Sequence, residues 1–251
     1  DDEDAVREFA WESLEAGPEG EPAGETAKFV KRAGRARATY PNGDTFEGSF
    51  DDEGRKTGQG TYTWSTAPGA NPWGPADEEE TWPEGRPVRY EGGWSAGQKS
   101  GEGQIWYPNG DRYHGQWQDD KKHGDGTFFY TNGDIYSGAW ANDVKAGKGA
   151  YVFKSDGSQL VGDFKDGSIT TGKWVFKDGS VFVGRFKENR PLGKGVFYFP
   201  SGNQQEGEWI EVGDEEDEEA PKTSVWRGGA VTPSAASAGE VTRAPLPPAV
   251  V

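Results

Sequence analysis

"YPNGDRYHGQW", residues 107–117, decides the fold. Twenty-three residues later the chain reads "YTNGDIYSGAW" (130–140), and earlier it reads "YPNGDTFEGSF" (40–50). Aligned on aromatic-x-Gly-x-aromatic, the strong anchors are Phe46-Gly48-Phe50, Tyr90-Gly92-Trp94, Tyr113-Gly115-Trp117 and Tyr136-Gly138-Trp140. Weaker copies follow at Leu160-Gly162-Phe164, Phe182-Gly184-Phe186 and Gln205-Gly207-Trp209. Their first residues lie 44, 23, 23, 24, 22 and 23 apart, the 44 being one period plus 21 inserted residues. A fixed period of roughly 20 to 50 residues marks a repeat architecture.

Each period has a second half, Gly-x-Gly-x-aromatic-x-aromatic, as in Gly58-Gly60-Tyr62-Trp64, Gly124-Gly126-Phe128-Tyr130, Gly147-Gly149-Tyr151-Phe153 and Gly193-Gly195-Phe197-Phe199. Both halves alternate with period two, the strand signal. Asn-Gly or Asp-Gly pairs separate them at 42–43, 109–110, 132–133, 156–157 and 178–179, a strong hairpin signal. One period is therefore one β-hairpin. A two-residue loop at 132–133 would put the two aromatic sets on opposite faces. A three-residue loop, Thr131-Asn132-Gly133, pairs Phe128 with Tyr136, gathers the rings on one face and sets glycines beneath them. Burial of apolar area favours that choice, at roughly 25 cal/mol per Å², and it needs Gly in the left-handed conformation of a bulged hairpin.

Composition agrees with a repeat of rings and glycines. Of 251 residues only 32% are apolar, yet 13% are aromatic and 39 are Gly. A net charge of −16 argues against nucleic acid and anionic membrane as main partners, both being negative themselves. No apolar run is long enough to cross a bilayer as a helix. The lack of Cys fits a reducing compartment, and the lack of Met predicts a start at an internal or processed residue. His114 and His123 are the only histidines and have no metal-ligand spacing; no cofactor or metal is expected. The Gly-x-Gly pairs lack the helix and Lys-Ser/Thr of a phosphate loop. Asp44, Asp111 and Asp134 follow Asn-Gly and read as turn residues. No nucleophile constellation is present, so the expectation is a non-enzyme.

"YEGGW…GEGQIWYPNGDRYHGQW…GDGTFFYTNGD" resembles the MORN (membrane occupation and recognition nexus) repeats over about residues 34–210. The order of good and degenerate copies is similar to the ciliary radial spoke head proteins of the protein 1 and protein 10 family, from "PNGDTFEGSF" to "GRFKENRPLGKGVFYF" and "NQQEGEW". The resemblance implies an all-β, elongated single-layer antiparallel meander of β-hairpins, about 14 strands and about 65 Å long. It implies an architectural scaffold in the axoneme of a cilium or flagellum, with other radial spoke head proteins as partners and pairing with itself or a MORN paralogue. A lipid-binding or membrane-tethering module, and a regulatory domain of a larger enzyme, are the alternatives.

Outside the repeat, "EDAVREFAWESLE" (3–15) predicts a short amphipathic helix with Val6, Phe9, Ala10 and Leu14 on one side, docked on the sheet or on a partner. Residues 1–27 form an N-terminal arm and 28–212 the repeat domain, whose basic start "KFVKRAGRAR" reads as a strand edge. The insertion at about 65–87 contains five prolines, which exclude a central strand; it is a partner-docking loop or a mobile excursion. Residues 213–251 read as an acidic, then Pro/Ala-rich, extended tail. The fifth copy, with Thr170 where its first Gly should stand, predicts a local kink. The candidate partner-binding residues are Tyr90, Trp94, Tyr113, Trp117, Tyr136, Trp140, Phe182, Phe186 and Trp209, with Trp73, Trp82, Phe9 and Trp226 outside the anchors.

Overall fold

The computed structural model describes residues 9–14, 26–27, 33–65, 87–212 and 223–234. All regular elements among them are β-strands, in two compact units divided in sequence after Gly124. In the first unit the strands are β1 (Ala10–Ser13), β2 (Thr26–Ala27), β3 (Gly34–Thr39), β4 (Thr45–Phe50), β5 (Lys56–Thr63), β6 (Arg89–Ser95), β7 (Gln98–Trp106), β8 (Arg112–Gln118) and the start of β9 (Lys121–Phe129). From β3 to β8 each strand pairs antiparallel with the next. The second unit continues with β10 (Ile135–Ala141), β11 (Val144–Val152), β12 (Gln159–Lys165), β13 (Ser168–Val175), β14 (Val181–Lys187), β15 (Arg190–Tyr198), β16 (Asn203–Val212) and β17 (Thr223–Pro233). From β10 to β17 the same antiparallel succession holds.

The Asn-Gly turns are the three-residue loops that parity requires. Tyr130 N–H donates to Asp134 O at 3.0 Å and Gly133 N–H to Tyr130 O at 2.8 Å, with Gly133 at φ +87°. Tyr40–Asp44 and Tyr107–Asp111 close identically. Ile105 pairs with Tyr113 and Gly103 with Gly115, so rings and glycines share a face. The glycines leave room for rings laid flat: a Cβ on Gly103 would sit 2.3 Å from Tyr90 Oη.

The opposite turns are tighter than the sequence suggests. Ala96-Gly97, Asp119-Asp120, Asn142-Asp143, Asp166-Gly167 and Glu188-Asn189 all have positive φ at both positions, the signature of two-residue type I′ loops. Next to them the longer strand of the hairpin bulges. Gly92 pairs with Gly103 but Trp94 with Lys99, so β7 spends four residues where β6 spends two. Gly101 in that bulge stands at φ +73°, as Gly58, Gly147 and Gly193 do in theirs, at +63°, +60° and +71°. Copy five differs as its sequence demands. Thr170, β-branched, stands in the place of that glycine, and left-handed backbone is costly for such a residue. Its bulge is one residue shorter: Asp163 pairs with Thr171 and Phe164 with Ile169.

Two expectations are corrected. The helix over 3–15 does not form where the chain is described: Ala10–Ser13 is strand β1, paired with β3 through Trp11↔Ala38 and Glu12↔Arg37. Residues 3–8 lie outside the described residues. A strand here satisfies the outer backbone groups of β3, which a helix would leave unpaired, and it buries Trp11 to 5% exposure beside the fully buried Ala36 and Ala38. The C-terminal segment is also not all tail. Thr223–Pro233 pairs along β16, with Trp209↔Trp226 and Gly207↔Gly228, a half-repeat written in reverse order.

Substituting Gly103→Ala should cost about 1–3 kcal/mol by overpacking, read as a lowered urea midpoint. In a Tyr90→Leu background the cost should fall sharply. An equal cost in both backgrounds would refute the ring-over-glycine packing.

Candidate functional site

The anchor rings are the core of the repeats. Tyr90, Tyr113, Tyr136 and Phe182 are fully buried, and Trp94, Trp117, Trp140 and Phe186 nearly so. Their polar atoms are used internally. Tyr90 Oη donates to Gly93 O, Tyr113 Oη to Gln116 O and Tyr136 Oη to Ala139 O, each at 3.0 Å. The indole Nε1–H groups of Trp94, Trp117 and Trp140 donate to Gly60 O, Gly103 O and Gly126 O at 3.1–3.2 Å. Burial pushes the Tyr90 and Tyr136 hydroxyls well above the ordinary range. These eight anchors, expected as partner contacts, are packed in the core of the repeats and leave little surface exposed. Trp209 and Trp226 are half-buried and pack on each other with ring centroids 5.8 Å apart. Phe9 meets Tyr40 edge-on at 5.7 Å. Trp73 and Trp82 lie outside the described residues.

What the repeats leave half-exposed is the second aromatic set. In the first unit Tyr62 and Trp64 lie 4.7 Å apart. In the second, Phe128–Tyr130, Tyr151–Phe153 and Trp174–Phe176 repeat that contact at 4.6–4.8 Å. The turn aspartates hold this set in place. Asp44 Oδ2 accepts from Tyr62 Oη at 2.8 Å and Oδ1 from Ser65 N–H at 2.7 Å. Asp134 does the same with Tyr151 Oη and Lys154 N–H, both at 2.8 Å.

A row of lysines was missed by the sequence reading. Lys56, Lys99, Lys122 and Lys145 each stand two residues before the first glycine of Gly-x-Gly and put an ammonium over rings. Lys56 Nζ lies 4.3 Å from the Trp94 ring centre and 4.6 Å from Tyr62. Lys99 lies 5.1 Å from Trp117, Lys122 5.7 Å from Tyr107, and Lys145 4.9–5.2 Å from Tyr151, Tyr136 and Tyr130. The attraction of the ring faces offsets part of the lost hydration. Burial lowers both Lys145 and Lys56; the latter falls to about 8, with Asp120 opposing and Lys99 adding to the shift. The signal lay in the spacing, 23 residues from Lys99 to Lys122 and again to Lys145. Copies five and six carry Ile169 and Pro191 at this place, paired with Phe164 and Phe186, and both are buried.

Chemically the arrangement is a surface of half-buried rings over clamped cations, held by a buried ring-and-glycine core. It defines a β-hairpin repeat protein. The chain matches the MORN repeat at residues 46–66, 90–112, 113–135, 136–158 and 182–204; it carries five MORN repeats. The gap between 158 and 182 falls on the copy with the shortened bulge. A search of curated proteins finds no match to the chain.

Truncating Trp117→Ala should cost about 3–5 kcal/mol, whereas Gln116→Ser on the exposed face should change stability by no more than about 0.5 kcal/mol. Lys56 gives a pH test. Below about 8 its ammonium is charged in both folded and unfolded chains. Between about 8 and the ordinary 10.5 the unfolded chain holds a proton that the folded one has released, so its contribution to stability rises with pH. Urea titrations of Lys56→Met against the parent should therefore show the variant's relative advantage shrinking from pH 7 to pH 10. A constant difference would mean that burial does not disfavour the charge.

Proposed function

We propose that the protein is a non-enzymatic scaffold that binds other proteins through its repeat faces, and that it serves in the head of the axonemal radial spoke of a cilium or flagellum. MORN repeats support an interaction module for proteins or membranes. The observation that carries the protein reading is the half-exposed aromatic set: rings such as Tyr62, Trp64, Phe176 and Phe199 offer apolar area beside polar groups such as the Asp44 carboxylate that holds Tyr62, the composition of a protein interface. The lysines beside that set, Lys56, Lys99, Lys122 and Lys145, are turned onto rings, and the chain is strongly acidic. The spoke-head assignment rests on the resemblance of the repeat order to that family. Other spoke head proteins are then its partners, and a second copy or a MORN paralogue its pairing unit, since two-fold pairing is the commonest way to close such surfaces.

Sedimentation of the full chain should give about twice its 27.3 kDa mass, or a monomer that pairs on addition of a spoke head MORN paralogue. A chain that stays monomeric with every spoke head protein, yet floats tightly with phosphoinositide vesicles, would replace this reading with the membrane one.

A further inference from the structure

The half-exposed rings change character along the second unit. Around Lys145 they include Tyr130 and Tyr151, whose faces meet its ammonium, and Tyr151 is bonded to Asp134. In the following repeats the lysine is replaced by Ile169 and Pro191, and the rings are Trp174, Phe176, Phe197 and Phe199. These stack as near-parallel plates. Trp174–Phe176 lie 4.8 Å apart at 20°, Phe176–Phe197 5.7 Å at 26°, and Phe197–Phe199 6.1 Å at 11°. All four are half-buried, and none bears a hydroxyl. The one polar atom in the ladder is Trp174 Nε1. Like Trp209 Nε1 it is buried without a hydrogen-bond partner among the described residues, whereas Trp140 Nε1 donates to Gly126 O.

Parallel apolar plates with a spare indole donor suit a polyproline II segment, whose rigid form is recognised by aromatic-lined grooves. Such a helix repeats every three residues, so residues i and i+3 share a side about 9 Å apart. The chain carries a candidate after β17 in sequence: "RAPLPPAVV", residues 243–251, with Pro245 and Pro248 three apart. Its root is well placed. After β17, Ser234 N–H donates to Gly202 O at 2.9 Å, and Gly202 N–H donates to Phe199 O; the chain thus leaves its last strand at the turn of the ladder's final ring. Ten residues, 235–244, separate Ser234 from Pro245, a reach of up to about 35 Å against rings 5–6 Å apart. Residues 235–251 contain one acid and one base, Glu240 and Arg243, so they bring no net charge onto the plates. The other proline-rich stretch, 65–87, carries Asp77, Glu78, Glu79, Glu80 and Glu84, whose burial on apolar rings is costly.

We propose that residues 243–249 of this chain dock as a polyproline II segment on the Trp174–Phe176–Phe197–Phe199 ladder, so that the second unit covers its own apolar face. Proline rings pack against the exposed edges of the plates, and a peptide carbonyl takes the Trp174 N–H after a small tilt of the ring. A tether of this length gives an effective concentration on the order of 1 mM, enough to fill a weak site.

The chain has no Cys, so Lys177→Cys, in the turn after Phe176, and Ala249→Cys accept two nitroxides without competition. Pulsed dipolar spectroscopy on the full chain should give one narrow distance population. Pro245→Ser/Pro248→Ser, which follow β17 in sequence, should broaden that population to the spread of a coil with end-to-end distance about 20 Å, with circular dichroism confirming that the strands persist. Phe176→Ser should do the same, with circular dichroism confirming that the strands persist. A distribution already broad in the parent, or a narrow one that the proline variant leaves unchanged, overturns the proposal. A narrow population that vanishes on dilution with unlabelled chain also overturns it, because the segment would then sit on a second copy.

Discussion

Everything else in the molecule depends on a large ring lying across two facing glycines. Where Gly92 meets Gly103 and Gly138 meets Gly149, the strands present bare backbone, and the ring of Tyr90 or Tyr136 occupies the space that two Cβ atoms would fill. The ring's hydroxyl returns to the backbone of its own strand, and the tryptophan four residues on bonds to a glycine carbonyl of the preceding strand. Each repeat therefore builds a core from one face of a sheet with few aliphatic side chains. That is how a chain only 32% apolar still folds.

The turn chemistry follows from the same requirement. Rings on one face fix side-chain parity, parity fixes the three-residue loop at one end of the hairpin, and the type I′ loop at the other end must be reconciled with it by a bulge. The left-handed glycine of Gly-x-Gly, at φ +73° for Gly101, is the place where the bulge is made. Copy five shows the dependence in reverse: with Thr170 there, one bulge residue is dropped and Ile169 packs where a lysine stands elsewhere.

How far the sequence could be read varied with the kind of signal. The repeat, the hairpins, the three-residue loops and the ring-bearing face were legible because period and parity are geometric. The type I′ loops were not, since Ala96 and Glu188 adopt positive φ without belonging to the residue types that favour it. The N-terminal strand was misread because Phe9, Ala10 and Leu14 have helical spacing, while the deciding partner, the open edge of β3, lies more than twenty residues away. The lysines were overlooked for a physical reason: a lysine is normally solvated, and only the ring set on either side makes burying its ammonium tolerable. Strand β17 carried a legible clue in "WRG", the mirror of "GEW", hidden by the acidic run before it. The partner surface was sought in the anchors, which have the strongest pattern; strength of pattern in this chain reports burial.

The bonds that close a repeat are short in sequence. Trp117 reaches Gly103 across 14 residues, Tyr151 reaches Asp134 across 17, and Tyr136 reaches Ala139 across three. Such contacts make a low contact order, which favours rapid folding, and stability becomes a sum over neighbours rather than a property of one centre. The insertion is the test of that economy. Because of it Trp94 must reach Gly60 across 34 residues where its counterparts need 14. Loop-closure entropy grows only as the logarithm of length, so the longer path costs about 0.8 kcal/mol. A sheet assembled by local closure can admit an excursion of this size between two of its strands and keep their register, which leaves the segment free to vary in sequence without disturbing the fold on either side.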